Sequence, residues 1–407
     1  MKLENKTQAS MYDNLFFESE SFNFELIRIL GLASYKGADF GECVITASRI
    51  KDNDRRSWTD EWRKTADELL TRAEKFAAAN DVVSAEYCFY RASNYYNKAM
   101  FYLVSEEERT ESIELRQKSV LAFKKAIAYK SSISLVSIPY ENTFLPGYFV
   151  KSNNLKNGIA PLIIIHTGFD GTKEEMYFML GLAAVERGYN VLLLDGPGQG
   201  ESLVNGLYYR HDWENVITPV VDFALTLDGV DKDRIALYGV SMGGYLAPRA
   251  VSFEHRIKAC IANGGVVNFY AAMYKTLPPE LLALSESSPE LFNQKISEIG
   301  KNNVNVYWAF ENGKWTMGVD TNAEFIQKVK SFNSEEVCGN ITCNMLVIDS
   351  RKDMFFDEQP RKLFDMLNSP KEYIIFDENS PGQYHCQMGA SEFSNEILYS
   401  WLDRVIK

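Results

Sequence analysis

Histidine is scarce in this chain: four in 407 residues, at positions 166, 211, 255 and 385, so an imidazole base has only four possible seats. Cysteine is thin as well. The six thiols (Cys43, Cys88, Cys260, Cys338, Cys343, Cys386) are scattered with no CxxC pair, which points to reduced structural thiols in a cytoplasmic protein. No Walker loop, HExxH or clustered Cys/His signature appears, so neither a metal nor a cofactor is expected. Positive charge is in deficit, 43 Lys and Arg against 55 Asp and Glu for a net charge of -12. That balance argues against a nucleic-acid surface or an anionic-membrane anchor. No apolar run approaches membrane-spanning length, and Met1-Lys2-Leu3-Glu4-Asn5-Lys6 leads into polar residues without the apolar core of a signal peptide.

What is present is an ordinary globular balance, 46% hydrophobic and 24% charged, in a chain long enough for roughly two or three domains. Over about 57–129 the apolar period is helical, with Trp58, Trp62, Ala66, Leu69, Leu70, Ala73 and Phe76 recurring at three- and four-residue steps. A second helix is expected over about 82–102 and a third from Ser105, where Ser105-Glu106-Glu107-Glu108 has the form of a capping box. The aromatics crowded between Tyr87 and Tyr102 are expected to pack between helices and against the next domain, with a substrate-facing surface as the alternative. After Lys130 the period changes to a strand pair, 133–140 and 145–150, joined by a turn. Short apolar runs then alternate with helical stretches at 161–165, 191–194, 235–238, 257–262, 345–348 and 373–376. Continuous apolar strands separated by helices predict an α/β fold, a doubly wound, mostly parallel sheet covered on both faces. The expected division is an N-terminal helical domain over 1–131 and a catalytic α/β domain over 132–407. Residues 268–337 are too many for a simple crossover, and with Trp308, Trp315 and Met317 they are expected to build a helical lid.

The chemistry starts at Gly239-Val240-Ser241-Met242-Gly243, directly after the run Arg234-Ile235-Ala236-Leu237-Tyr238. A strand that turns sharply into a helix lifts a serine Oγ clear of the backbone, and small residues two positions either side permit the bend. Ser241 is therefore the candidate nucleophile. The order nucleophile, acid, histidine that goes with this elbow continues with Asp353, in the loop after 345–348, and Asp349 at the strand edge is the alternative acid. It ends with His385, in the loop Ser380-Pro381-Gly382-Gln383-Tyr384-His385. Asp357 is better placed than Asp353 to cap the next helix. His211 and His255 sit in helical surface contexts and are expected to be structural. His166 ends a strand near the oxyanion loop and is a candidate pocket residue, with Trp308 and Trp315. The oxyanion is expected to rest on the N–H of Met242 and that of Phe169, in the loop His166-Thr167-Gly168-Phe169-Asp170-Gly171. Asp195-Gly196-Pro197-Gly198-Gln199-Gly200 invites a dinucleotide reading, but the third glycine of GxGxxG would fall at Glu201. With the proline, that argues against the reading.

These motifs in this order resemble the α/β-hydrolases, and within them the bacterial branch with an N-terminal helical domain that includes 2,6-dihydroxypseudooxynicotine hydrolase. The likeness runs from about Asp39 to the C-terminus, through Ile138-Pro139-Tyr140-Glu141, Leu145-Pro146-Gly147-Tyr148-Phe149, Gly168-Phe169-Asp170-Gly171-Thr172-Lys173-Glu174-Glu175 and His385-Cys386-Gln387-Met388-Gly389-Ala390. The chain is also similar to fungal pigment hydrolases and to bacterial lyases that shorten aromatic polyketides. The resemblance implies cleavage of an acyl carbon–carbon bond, of the β-diketone or retro-Claisen type, in an aromatic or polyketide-like small molecule. Ester or thioester hydrolysis is the alternative reading; a peptidase and a catalytically silent binding protein stand further off. The resemblance also implies a helical domain closing over the pocket, and a homodimer. His166 departs from the branch, in which glycine tends to precede the oxyanion loop.

Overall fold

The computed structural model describes residues 15–154, 158–274 and 277–407, so the stretch read for a leader, 1–6, lies outside the described residues. Four N-terminal helices each begin behind a side chain that accepts a hydrogen bond from the N–H three residues on: α1 (Glu20–Leu30) behind Ser19, α2 (Phe40–Ala47) behind Asp39, α3 (Arg55–Ala78) behind Asp54 and α4 (Val82–Met100) behind Asp81. At the next helix, α5 (Arg109–Ile127), the expected bonds between Ser105 and Glu108 form but do not cap the helix. Ser105 and Glu108 exchange their two bonds at 3.2 and 3.3 Å to close a separate turn, and the helix starts one residue later. Helices α1 and α2 precede the region whose periodicity reads as helical. The reason is composition: α1 buries Asn23, Glu25 and Arg28 among Phe22, Leu26, Ile27 and Ile29, which erases the usual contrast between an apolar and a polar face. The aromatics of α4 do pack, as expected. Trp62 meets Tyr95 at 5.2 Å, and Tyr90 meets Phe123 on α5 at 5.7 Å and Phe178 at 5.2 Å.

Eight strands come next: β1 (Ile133–Tyr140), β2 (Thr143–Val150), β3 (Ala160–His166), β4 (Asn190–Leu194), β5 (Val230–Val240), β6 (Ala259–Asn263), β7 (Asn344–Ser350) and β8 (Lys371–Phe376). They form one sheet in the order β1-β2-β4-β3-β5-β6-β7-β8, antiparallel where β1 meets β2 and β2 meets β4, and parallel elsewhere. Between strands run α6 (Lys173–Met176), which continues through a π-helical turn at Tyr177–Gly181 into α7 (Leu182–Glu186), then α8 (Gly200–Val204), α9 (Glu214–Ala224) and α10 (Gly243–Val251). Alternation along each strand divides the core in two. Ile163 and Ile165 of β3 join the apolar cluster of the N-terminal helices, whereas Leu162 and Ile164 join the cluster built with α9 and α10. A strand buried on both faces must be apolar throughout, which is why these strands read as unbroken hydrophobic runs.

The segment after β6 carries α11 (Phe269–Tyr274), α12 (Pro279–Ser287), α13 (Pro289–Gly300), α14 (Val304–Met317) and α15 (Asn322–Val329); α16 (Gln359–Met366) comes after β7 and α17 (Ser391–Ile406) ends the chain. Helix α14 docks onto the N-terminal helices. Trp308 donates its indole N–H to the Phe101 carbonyl at 2.9 Å and stacks on the Phe101 ring at 5.0 Å, and the Arg55 guanidinium lies 3.8 Å from the centre of the Tyr307 ring. Two local expectations are corrected. His211 lies in a bend and His255 in a turn, both exposed, rather than in helices, because each falls in the connection beside a helix. Asp357 does not cap α16: Glu358 occupies that position in the left-handed region, with no side-chain capping bond. All six cysteines are free and buried, and no helix among the described residues is long and apolar enough to cross a membrane.

Candidate active site

Strand β5 ends at Val240 and Ser241 takes φ +63°, a left-handed conformation that strains a residue with a side chain. Two glycines make the turn possible. A Cβ on Gly239 would lie 2.0 Å from the Gly243 carbonyl oxygen, and one on Gly168, in the facing loop, would lie 2.6 Å from the Met242 nitrogen. The turn is tied down from below by the Ser241 N–H, which donates to the Asn263 carbonyl at 2.9 Å.

The fold brings Ser241, His385 and Asp353 together from three loops at the ends of β5, β8 and β7. His385 Nε2 is 2.9 Å from Ser241 Oγ, and its Nδ1 is 2.7 Å from Asp353 Oδ2. The other Asp353 oxygen accepts the N–H groups of Phe355 and Phe356 at 2.8 and 3.2 Å, which aims the carboxylate at the ring. Asp349, the alternative acid, is not brought to His385; its carboxylate accepts the Tyr373 hydroxyl at 2.5 Å. Burial opposes a charge on His385, yet the Asp353 carboxylate outweighs it and holds the imidazole well above its usual value, aided by Cys386, whose Sγ is 3.4 Å from Nε2. Phe355 and Phe356 set their rings against His385 at 4.8 and 5.1 Å and limit its rotation.

The loop that carries Phe169 packs against the elbow at Met242, where a Cβ on Gly168 would meet the Met242 nitrogen. The carbonyls of the facing loop are drawn the other way: Gln199 Nε2 donates to Thr167 O at 2.6 Å, Tyr209 hydroxyl to Gly168 O, and Asn312 of α14 to Phe169 O at 3.1 Å. Among the described residues, no group of the chain takes up the Phe169 or Met242 N–H. The glycine-rich loop at 196–200 folds around the Asp195 carboxylate, which accepts the Lys173 N–H, the Lys173 ammonium and the Glu201 N–H at 2.9, 2.8 and 2.9 Å. It is a support for the oxyanion loop through Gln199. Among the described residues no cluster of three or more His, Cys, Asp or Glu side chains could hold a metal ion.

His166 does not line the cavity beside the oxyanion loop. It is fully buried beneath the elbow, with Nδ1 3.1 Å from Thr167 O and its ring against Trp213 at 5.6 Å. Burial pushes its pKa down to about 4, so it is neutral. Position 166 is the last residue of β3, and there the strand still points inward. Trp308 and Trp315 do line that cavity, with Phe101, Phe169 and Asn312.

Two groups of residues escaped the sequence reading. Arg28 of α1 forks onto Glu175 at 2.6 Å through two nitrogens, reaches Asp170 of the oxyanion loop at 2.5 Å and touches Glu25 at 3.2 Å. No local pattern announces a buried arginine 142 residues away from its partner. Beneath the histidine loop, Gln387 and Asn263 exchange amide bonds at 2.9 and 3.0 Å, and Gln387 also donates to Ser350 Oγ at 3.0 Å. Asn263 thus holds the elbow through its carbonyl and the histidine loop through its side chain. Gln387→Ala is expected to lower kcat by about 10- to 100-fold with KM little changed, since a displacement of about 1 Å at a reacting group has that effect. Steady-state kinetics checks it, and an unchanged kcat would show that the pair does not position His385.

Residues 160–377, more than half of the chain, match the family described as alpha/beta hydrolase fold. Among curated proteins the chain is similar to Hydrolase LUC6 of Fusarium sp, 34% identical across 95% of this chain and 97% of the relative. It is similar also to 20-hydroxy-prefusarin hydrolase FUS2 of Gibberella moniliformis, 33% identical over the same shares. Among solved structures, 2,6-dihydroxy-pseudo-oxynicotine hydrolase has the same fold, with a TM-score of 0.73 at 22% identity over 92% of this chain and 95% of that one. A fold match of that kind speaks to architecture, and the sequence matches speak to kinship: the chain belongs to the α/β-hydrolase family.

Proposed function

We propose that this hydrolase works through Ser241 as nucleophile, His385 as base and acid, and Asp353 as the group that orients His385, and that it cleaves an acyl carbon–carbon bond in an aromatic or polyketide-like small molecule. The observation that carries the reading is the relay of 2.9 and 2.7 Å from Ser241 through His385 to Asp353, at an elbow facing the oxyanion loop. Ser241 Oγ attacks a carbonyl carbon as its proton passes to His385 Nε2, and the resulting oxyanion is held by the Met242 and Phe169 N–H groups. Losing one such donor typically costs about 3 to 4 kcal/mol of transition-state stabilisation. Collapse of the tetrahedral species breaks the carbon–carbon bond only when the departing carbon is stabilised as an enolate, which then takes the proton from His385. Water, activated by the same imidazole, releases the acyl group as a carboxylic acid.

The aromatic side chains gathered beside the loop that carries Phe169, those of Phe101, Trp308 and Trp315, support an aromatic substrate. Similarity over nearly full length to a 20-hydroxy-prefusarin hydrolase supports a small-molecule one. The proposal extends to a cytoplasmic homodimer in which residues 1–131 complete the pocket. Incubation with 1-phenyl-1,3-butanedione and, separately, with p-nitrophenyl esters tests the bond. Turnover of the diketone to a carboxylic acid and a methyl ketone is expected. Efficient ester hydrolysis with the diketone untouched would replace the reading by an esterase.

A further inference from the structure

One cation near the oxyanion loop has no counter-charge in contact among the described residues. Arg116 of α5 is 8% exposed, and its Nε and Nη1 have no hydrogen-bond partner among those residues. Its neighbours are all engaged. Arg28 holds Glu175, Asp170 and Glu25, Lys98 holds Glu25 at 2.7 Å, and Lys173 holds Asp195, Glu174 and Glu201. The four carboxylates whose field reaches Arg116, those of Asp195, Glu174, Glu201 and Asp170, are therefore bound to Lys173 or Arg28 rather than to it. Burial dominates these distant charges and pulls the guanidinium below its usual value. An uncompensated buried charge destabilises a fold unless something bound relieves it.

Arg116 faces a cavity that also borders Phe169, Asp170 and Gly171 of the oxyanion loop and Trp308 and Asn312 of α14. Its volume is about 30 Å³, room on the order of two waters and so the size of a carboxylate. We propose that Arg116 is an anion-binding residue that receives a planar, delocalised oxyanion of the substrate, a carboxylate or the enolate of a 1,3-dicarbonyl, behind the oxyanion loop. The planar fork of the guanidinium matches two oxygens of such a group, whereas a neutral amide or ester offers it no charge. The inference rests on Ser241 being the reacting group of this site. It narrows the substrate to acidic molecules, with the anionic end at Arg116.

Calorimetric titration of the full-length protein with benzoate, with the anion of dimedone and with neutral benzamide, at matched ionic strength, tests it. At least one anion is expected to bind tenfold or more tightly than benzamide, and which of the two does so identifies the carboxylate or the enolate. Arg116→Met is expected to remove that preference, while the melting midpoint of the free protein holds or rises by about 1 to 3 °C as an unpaired buried charge is lost. Equal binding of all three probes by the unaltered protein would overturn the proposal, as would an unaltered preference in Arg116→Met. A lowered midpoint or failure to fold would also overturn it, by assigning Arg116 a structural role. Fluorophosphonate labelling of Ser241 is read alongside. Absence of labelling would refute the hydrolytic reading and leave the anion preference to stand or fall on calorimetry alone.

Discussion

Ser241→Ala is expected to lower kcat by on the order of 10⁵ to 10⁶ and to abolish labelling by a fluorophosphonate probe. The size reflects cooperation among the three groups: without the serine, His385 has no proton to accept, so the second loss adds little to the first. His385→Ala and the double variant are accordingly expected to fall to the same floor as Ser241→Ala. Asp353→Asn is expected to fall less, by about 10⁴, since it disturbs the orientation and charge of the imidazole but leaves both reacting groups in place. The pH profile separates the roles. Attack needs neutral His385, and Asp353 holds that ring above its usual value of 6.5, so activity should rise with pH and reach its plateau only above that value. In Asp353→Asn burial is left to act on the imidazole without the carboxylate, and the acid limb should move to lower pH. A Ser241→Ala protein that retained labelling or more than a thousandth of the activity would remove Ser241 as the nucleophile.

Arg28→Met is expected to destabilise the fold by about 3 to 5 kcal/mol, the usual consequence of removing one partner from a buried ionic cluster. Glu175 would be left with Lys98 alone at 3.8 Å, and Asp170 would lose its bond to α1. Because Asp170 is the neighbour of Phe169 in the chain, kcat should fall as well, even below the melting midpoint of the variant. Burial acts to raise the Glu175 pKa, but Arg28 and Lys98 outweigh it and hold the carboxyl below its usual value of 4.5. A depressed carboxyl contributes stability that is complete above its unfolded value and is lost as pH falls through the folded one. The unaltered protein should therefore lose stability on acidification below about that usual carboxyl value, and Arg28→Met should lose less over the same interval. Denaturant unfolding at neutral and acid pH measures both. A variant as stable as the parent at neutral pH would show that α1 is not fastened through Arg28.

Much of this molecule is legible along the chain because the requirements are local. A buried parallel strand must be apolar on both faces, so β3, β4, β5 and β7 stand out as runs of Ile, Leu and Val whatever surrounds them. A strand that reverses into a helix over five residues needs glycine at 239 and 243, so the elbow identifies itself, and the order of Ser241, Asp353 and His385 is the order of the strands that carry them. With only four histidines, the choice of base was narrow. Other features depend on which segments meet. Nothing along the chain marks Glu25 and Arg28 of α1 as buried, yet packing turns them inward to Lys98, Glu175 and Asp170. His166 looked like a pocket residue beside the oxyanion loop, yet the pleat of β3 directs it under the elbow. Gln387 pairs with Asn263 across 124 residues, and Arg116 is left without a counter-charge among the described residues only because Lys173 and Arg28 hold the nearby carboxylates. The sequence alone thus determined the strands, the elbow and the candidate reacting groups, each set by near neighbours in the chain. Only the tertiary structure decided which buried charges are paired and which is left without a counter-charge among the described residues, because the energy of a buried charge depends on what packing brings to within a few ångströms of it.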